Sequence, residues 1–122
     1  MAERRLSTEP LLVVEKYEAF LNYFYRVAQN MPRQHGVVRE MFLRDMLGQV
    51  SLFNEAGKSG QVSRLYVADA GLQTLRFWLR FLSHPDRKII TVKQHQVGST
   101  MLAEVGRLLG GWMRKVQKPA KV

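Results

Sequence analysis

The sequence predicts an all-α protein, folded as an up-down-up-down antiparallel four-helix bundle. Three observations predict this architecture. Four segments repeat their apolar residues every three or four positions, which is the period of an α-helix. None of the segments alternates apolar and polar residues as a half-buried strand would. The connections between the segments are short, and short connections join helices that run antiparallel. One domain is therefore expected over residues 1–122.

The first two predicted helices are separated by a proline. The first covers about residues 9–30, with Thr8 as its N-cap and one apolar stripe: Val13, Tyr17, Phe20, Phe24, Val27 and Met31. Pro32 ends this helix and suits the first position of the next, which covers about residues 32–56. The second helix ends at a break with glycine available for a C-cap: Gly57, Lys58, Ser59 and Gly60.

The last two predicted helices are joined by a polar loop at residues 84–88. The third helix covers about residues 61–83 and the fourth about residues 92–117. Thr91 and Gln94 have the spacing of a capping box, in which each side chain binds a backbone N–H at the start of a helix. A short tail precedes the first helix, and a basic tail follows the fourth.

The third helix is apolar around most of its circumference, and a narrow polar stripe on it carries Asp69, Gln73, Arg76 and Arg80. A surface helix of a monomer needs an apolar stripe only about 100° wide. A second buried contact is therefore expected, and we predict a homo-oligomer whose interface includes Phe77, Trp78 and Phe81. The alternative is a helix that lies centrally in a monomeric bundle.

Composition excludes several classes of protein. The sequence has no cysteine, so it has no disulfides and no thiolate metal site. None of its apolar runs approaches the roughly 20 residues of a membrane helix, and charged residues interrupt the N-terminal segment too early for a signal peptide. We therefore expect a soluble, cytoplasmic protein that does not bind membranes.

The positive charge is unevenly distributed along the sequence. The chain carries 19 Lys and Arg against 10 Asp and Glu, but residues 1–57 have seven of each sign, so the whole excess of +9 follows residue 57. This asymmetry indicates a polyanionic partner such as nucleic acid. The candidate binding residues are Arg76, Arg80, Arg87, Lys88, Arg107 and Arg114. The alternative is a solvated polar face, with Asp69 and Glu104 as ion-pair partners.

Catalytic and metal-binding patterns are absent from the sequence. The triplet Gly57-Lys58-Ser59 lacks the earlier glycine and the preceding strand of a phosphate-binding loop. The three histidines have neither Glu-x-x-His nor His-Glu-x-x-His spacing. We therefore expect no enzyme activity, no metal and no cofactor. Because few aromatic residues lie between the cations, we expect nucleic acid to be bound through its backbone.

Specific runs of residues carry a resemblance to a known family. They are ADAGL, LRFWLRFL and NMPRQHGVVREMF, within a similarity from about Val13 to Val116. Here the chain closely resembles the accessory variability determinant (Avd) proteins of diversity-generating retroelements. More distantly, it is similar to the four-helix bundle proteins encoded in ribosomal RNA intervening sequences.

The resemblance implies a pentameric barrel of four-helix bundles that has no catalytic centre. It also implies binding to the reverse transcriptase of the element, to the template-repeat RNA and to cDNA, in support of adenine-mutagenic reverse transcription and mutagenic retrohoming. Arg76 and Arg80 match basic positions of the family, as do Arg33 and Arg39 near the second turn. The other hypothesis is a structural bundle that binds RNA without a polymerase partner.

Overall fold

The computed structural model describes residues 8–117, which form four α-helices and, within that range, no β-strand. Helix α1 spans Thr8–Gln29, α2 spans Gly36–Ser59, α3 spans Val62–Ser83 and α4 spans Val92–Gln117. The all-helical class predicted from the sequence is confirmed. In this part of the chain, no helix is long and apolar enough to cross a membrane.

Helix α2 begins later and ends later than the sequence pattern predicted. Pro32 has an extended backbone (φ −58°, ψ 148°), so it precedes a short 3-10 helix, Arg33–His35, rather than opening α2 itself. At the other end, the helix continues through Gly57 to Ser59. Gly60 ends it with a left-handed backbone (φ 66°), and its N–H donates to the carbonyl of Ala56 at 3.0 Å. Glycine adopts this conformation without the steric cost that a Cβ atom would add.

The predicted capping box is present at the start of α4. The backbone N–H of Thr91 donates to Oε1 of Gln94 at 2.9 Å, and the N–H of Gln94 donates to Oγ1 of Thr91 at 3.0 Å. These two bonds satisfy donors that have no partner within the helix. They fix the point at which the preceding loop enters α4.

The four helices enclose one core. Helix α2 packs against α1 and α3, and α4 packs against α3 and α1, so the contacts form a closed ring. Aromatic rings link the helices: the ring centroids of Phe24 and Phe42 lie 6.1 Å apart, and those of Phe42 and Trp78 lie 5.8 Å apart. Tyr17 donates its hydroxyl to the carbonyl of Met46 at 2.7 Å, and burial raises the pKa of this tyrosine.

One polar side chain is fully buried between α2 and α3. Gln49 donates from Nε2 to the carbonyl of Ala68 at 2.8 Å. A Cβ atom at Gly71 would overlap the amide oxygen of Gln49, so this close approach requires glycine. The pair sets the separation of the two helices at this level of the core.

A packed layer places the two helix connections beside each other. Phe24 and Leu79 both lie against Gly98, where a Cβ atom would come within 2.7 Å and 2.9 Å of their side chains. Phe24 also contacts Phe42. Each of these residues lies within six positions of the helix end that adjoins a connection. The α1–α2 connection and the α3–α4 loop therefore lie at the same end, which we call the turn end (residues 26–40 and 80–95).

Candidate nucleic-acid interface

Most of the net positive charge of the described residues lies at the turn end. Residues 8–117 carry 15 cationic and nine acidic side chains. The turn end has only two of the acids, Glu40 and Asp86, but seven of the cations: Arg26, Arg33, Arg39, Arg80, Arg87, Lys88 and Lys93. It therefore accounts for five of the six net charges. Such a concentration of one sign raises the local density of a polyanionic partner.

Contacts within and beside the α3–α4 loop hold the side chain of Arg87 and the backbone of Lys88. The Arg87 guanidinium lies over the ring of Phe81, with its carbon 3.9 Å from the ring centroid, and Nε donates to the Phe81 carbonyl at 3.0 Å. Lys88 has a left-handed backbone (φ 49°), and its N–H donates to the carbonyl of His84 at 2.8 Å. A positive φ is uncommon for a residue with a Cβ atom, so the surrounding bonds hold this conformation.

Three of the predicted binding arginines are available at this end. Arg80 is exposed in the last turn of α3, Arg33 is exposed in the 3-10 helix, and Arg39 is half-buried in the first turns of α2. Among the described residues, none of the three has an ion-pair or hydrogen-bond partner for its side chain. Their guanidinium groups are therefore free to bind phosphate oxygens in bidentate fashion.

Two cations at the turn end were not among the predicted binding residues. Arg26 is exposed in the last turn of α1, and Lys93 is exposed in the first turn of α4. In the sequence, each of these two cations lies close to one of the predicted connections between helices. That position indicates a shared basic surface only once the two connections are known to lie at the same end.

The structure corrects the prediction for Arg76, which was expected to lie beside Arg80 on the narrow polar stripe of the third helix. Its side chain is half-buried and crosses from α3 to α4, where Nη2 donates to the carbonyl of Leu102 at 3.4 Å. A Cβ atom at Gly106 would come within 2.6 Å of the same Nη2. The missing side chain of Gly106 therefore makes room for Arg76, which joins the two helices.

Arg107 and Arg114 lie on α4, outside the turn end. Arg107 is paired with Glu104 through two hydrogen bonds, of 3.1 Å and 2.7 Å. The bond from Arg107 lowers the pKa of Glu104, and the same bond raises the pKa of Arg107. This ion pair agrees with the solvated-face alternative and removes one net charge from the predicted site. Arg114 is exposed in the last turn of α4.

The predicted oligomer interface requires a correction at Trp78. This residue is only 6% exposed, and its Nε1 donates to Oδ2 of Asp45 at 2.7 Å. Because α3 packs against both α2 and α4, most of its apolar circumference is buried within the chain. Phe81 is half-buried, and Phe77 is 46% exposed. Two more large apolar residues of α3, Tyr66 and Val67, are 50% and 47% exposed.

The described part of the chain holds no group of three or more His, Cys, Asp or Glu side chains that could bind a metal ion. His84 lies in the α3–α4 loop, where Nδ1 accepts a hydrogen bond from the backbone N–H of Asp86 at 3.1 Å. His35 and His95 lie at the starts of α2 and α4, and both are half-buried. The three histidines thus lie at the turn end beside the cations.

Comparison with known proteins identifies the family. No curated protein matches the chain. A sequence model described as bAvd-like matches residues 11–116, a range that includes nearly all of α1 and α4 and the whole of α2 and α3. The resemblance to the Avd proteins is thereby confirmed: the chain belongs to the bAvd-like family.

Proposed function

We propose that the protein is a non-catalytic accessory subunit of a diversity-generating retroelement. In this role it binds the template-repeat RNA and the cDNA and holds them against the reverse transcriptase. Membership of the bAvd-like family supports the connection to the retroelement. The observation that supports the proposed nucleic-acid binding is the concentration of cations at the turn end, which has seven cationic side chains and only two acidic ones.

The proposed contribution of the chain is electrostatic. Cations on rigid helices neutralise phosphates and release condensed counterions, which supplies most of the affinity in binding that is independent of sequence. The repulsion between template and product strands falls near the polymerase as a result. The polymerase carries out the chemistry, and mutagenesis at adenines followed by mutagenic retrohoming depends on the complex.

We also propose an up-down-up-down helix order and a homo-oligomer, with the pentamer taken from the family. The ring of helix contacts and the shared position of the two connections support the helix order. Tyr66 and Val67 support self-association, because they leave an exposed apolar area on α3 away from the turn end. Light scattering tests this assembly: five chain masses support the pentamer, and a monomer at micromolar concentration contradicts self-association.

A second candidate is a bundle that binds RNA without a polymerase partner. The cationic turn end favours this candidate equally, because phosphate binding alone does not require a polymerase. Only the family connection separates the two functions.

Co-purification with the reverse transcriptase encoded beside the gene tests the proposed function. We expect the two proteins to elute as one complex in the presence of nuclease and moderate salt, so that RNA cannot bridge them. A chain that binds RNA but never retains the polymerase under these conditions would favour the second candidate. A chain that binds neither would contradict both.

A further inference from the structure

An exposed aromatic ring lies next to the turn end, three residues before its first residue on α3. Phe77 is 46% exposed, although a phenylalanine in a monomeric bundle is usually buried. Its ring centroid is 5.7 Å from that of Trp78 and 5.9 Å from that of Phe81. The neighbouring rings support one side of Phe77 and leave part of it open to solvent.

Cations flank this aromatic ring. Arg80 lies three residues after Phe77 on the same helix, so the two side chains are neighbours on the surface. The guanidinium of Arg87 lies 3.9 Å from the centroid of the Phe81 ring, which in turn contacts Phe77. Lys88 follows directly in the loop. The arrangement thus combines one apolar ring with three cations, one on the helix and two in the adjoining loop.

The charges disfavour a second copy of the chain as the occupant of this surface. In a two-fold contact between copies the same surface meets itself, so two strongly positive turn ends would lie together. In a head-to-tail contact the turn end would meet another part of the chain, where the described residues carry eight cations against seven acids, so that part supplies no net negative charge to attract it. Burying Arg80 without a carboxylate would leave a desolvated charge. A polyanion that also has flat apolar faces can pair with these cations and cover the ring of Phe77.

We propose that Phe77 stacks against an unpaired base while Arg80, Arg87 and Lys88 bind the flanking phosphates. The ligand is therefore single-stranded nucleic acid, or a single-stranded stretch within a folded RNA. Bases in a duplex are stacked on each other and expose no face to such a platform, whereas a single strand offers every base. This inference rests on the proposed nucleic-acid binding and refines it from phosphate recognition alone to recognition of unpaired strands.

Phe77→Leu tests the inference against a control, Leu47→Ala. Both substitutions reduce a half-exposed apolar side chain, but Leu47 lies on α2 outside the turn end and outside the proposed self-association surface. Affinities are measured for a 12-nucleotide mixed-sequence RNA and for the 12-base-pair duplex that contains it. We expect Phe77→Leu to weaken single-strand binding by up to about 140-fold and by at least about 5-fold, the range that removal of a stacking residue gives. Duplex binding should stay unchanged, and Phe77→Tyr should retain the single-strand affinity.

Tryptophan fluorescence provides a second measurement. The chain has two tryptophans, so Trp112→Phe leaves only Trp78, which contacts the ring of Phe77. Addition of the single strand should change the Trp78 emission, and the duplex should not. The affinity comparison uses the unaltered background, so it does not depend on how well Trp112→Phe folds.

Three outcomes would contradict the inference, and they can be told apart. If Phe77→Leu binds the single strand as tightly as the unaltered protein, the stacking platform is excluded while phosphate binding stands. If Phe77→Leu changes the mass of the oligomer by light scattering, the surface is an interface between copies. If the unaltered protein binds neither RNA, the proposed function fails together with the refinement.

Discussion

At the scale of single residues, two arginines one turn apart have different surroundings. Arg80 is exposed and has no partner among the described residues, whereas Arg76 crosses to α4 and donates to the carbonyl of Leu102. The sequence placed both on one polar stripe because periodicity locates residues only relative to their own helix. It could not show that α4 passes beside that stripe, or that Gly106 leaves room there for a guanidinium group.

The two arginines should therefore respond differently to substitution. We expect Arg76→Ala to lower the free energy of unfolding by about 0.5–1.5 kcal/mol, since it removes one interhelix hydrogen bond at a half-buried position. Arg80→Ala should leave the melting temperature unchanged and weaken RNA binding. Circular dichroism melts beside binding titrations measure both effects. Equal stability of the two variants would contradict the interhelix role of Arg76.

Within one chain, the alternative in which Asp69 pairs with these arginines finds no support. Asp69 is the acid closest to them along the predicted stripe, but no ion pair joins it to Arg76 or Arg80 in the part of the chain that the structure describes. Glu104, the other predicted acidic partner, does pair with Arg107. The two residues lie three positions apart on one helix, and such neighbours meet on the helix surface.

At the scale of helices, the sequence predicted the elements well and their ends less well. Periodicity identified all four helices, and the spacing of Thr91 and Gln94 identified the cap of α4. The ends of α2 were misplaced because proline and glycine were interpreted as boundaries wherever they occurred. Gly57 instead lies inside the helix, where a Cβ atom would meet Pro10 of α1 at 3.3 Å. Its role depends on a neighbouring helix, which the local sequence does not reveal.

The wide apolar face of α3 also depends on neighbouring helices that the local sequence does not reveal. From this face we predicted an oligomer interface, but α3 packs against two neighbours and buries Trp78 within the chain. Only the exposed remainder, including Tyr66 and Val67, supports self-association. A helical wheel cannot distinguish these cases, because it shows which residues are apolar but not which neighbours cover them.

Glycines in two adjacent helices provide a direct test of the α2–α3 packing. Gly71→Ala should destabilise the protein by about 1–3 kcal/mol, because the new methyl group would displace the Gln49 side chain from its bond to Ala68. Gly48→Ala is the matched control, since nothing lies within 4 Å of its Cβ position. There we expect a gain of up to about 1 kcal/mol from helix propensity. Chemical denaturation measures both changes, and a Gly71→Ala protein of unchanged stability would contradict the close packing of Gly71 against Gln49.

At the scale of the whole molecule, the fold gathers charges that are far apart in the sequence. By sequence alone, the excess of positive charge lies entirely after residue 57. In the structure, three cations from the neutral first half join four from the second half at the turn end: Arg26, Arg33 and Arg39 with Arg80, Arg87, Lys88 and Lys93. The sequence therefore predicted a polyanionic partner but not the surface that would bind it. Locating that surface required knowing which connections lie together.

Charge reversal at the two ends of the bundle shows where on the protein RNA binds. One variant carries Arg80→Glu and Lys88→Glu at the turn end. The control carries Lys58→Glu and Arg114→Glu, in the last turns of α2 and α4. Both variants lose the same net charge, so a difference between them reports the location of binding rather than the overall attraction.

RNA affinity is measured for both variants over a range of salt concentrations. For the turn-end variant we expect a large loss of affinity at low salt. The slope of log affinity against log salt should fall by about 0.7–0.9 for each phosphate contact removed. The control should keep the slope of the unaltered protein. Equal losses and equal slopes in the two variants would show that net charge alone governs binding, and would contradict a phosphate-binding site at the turn end.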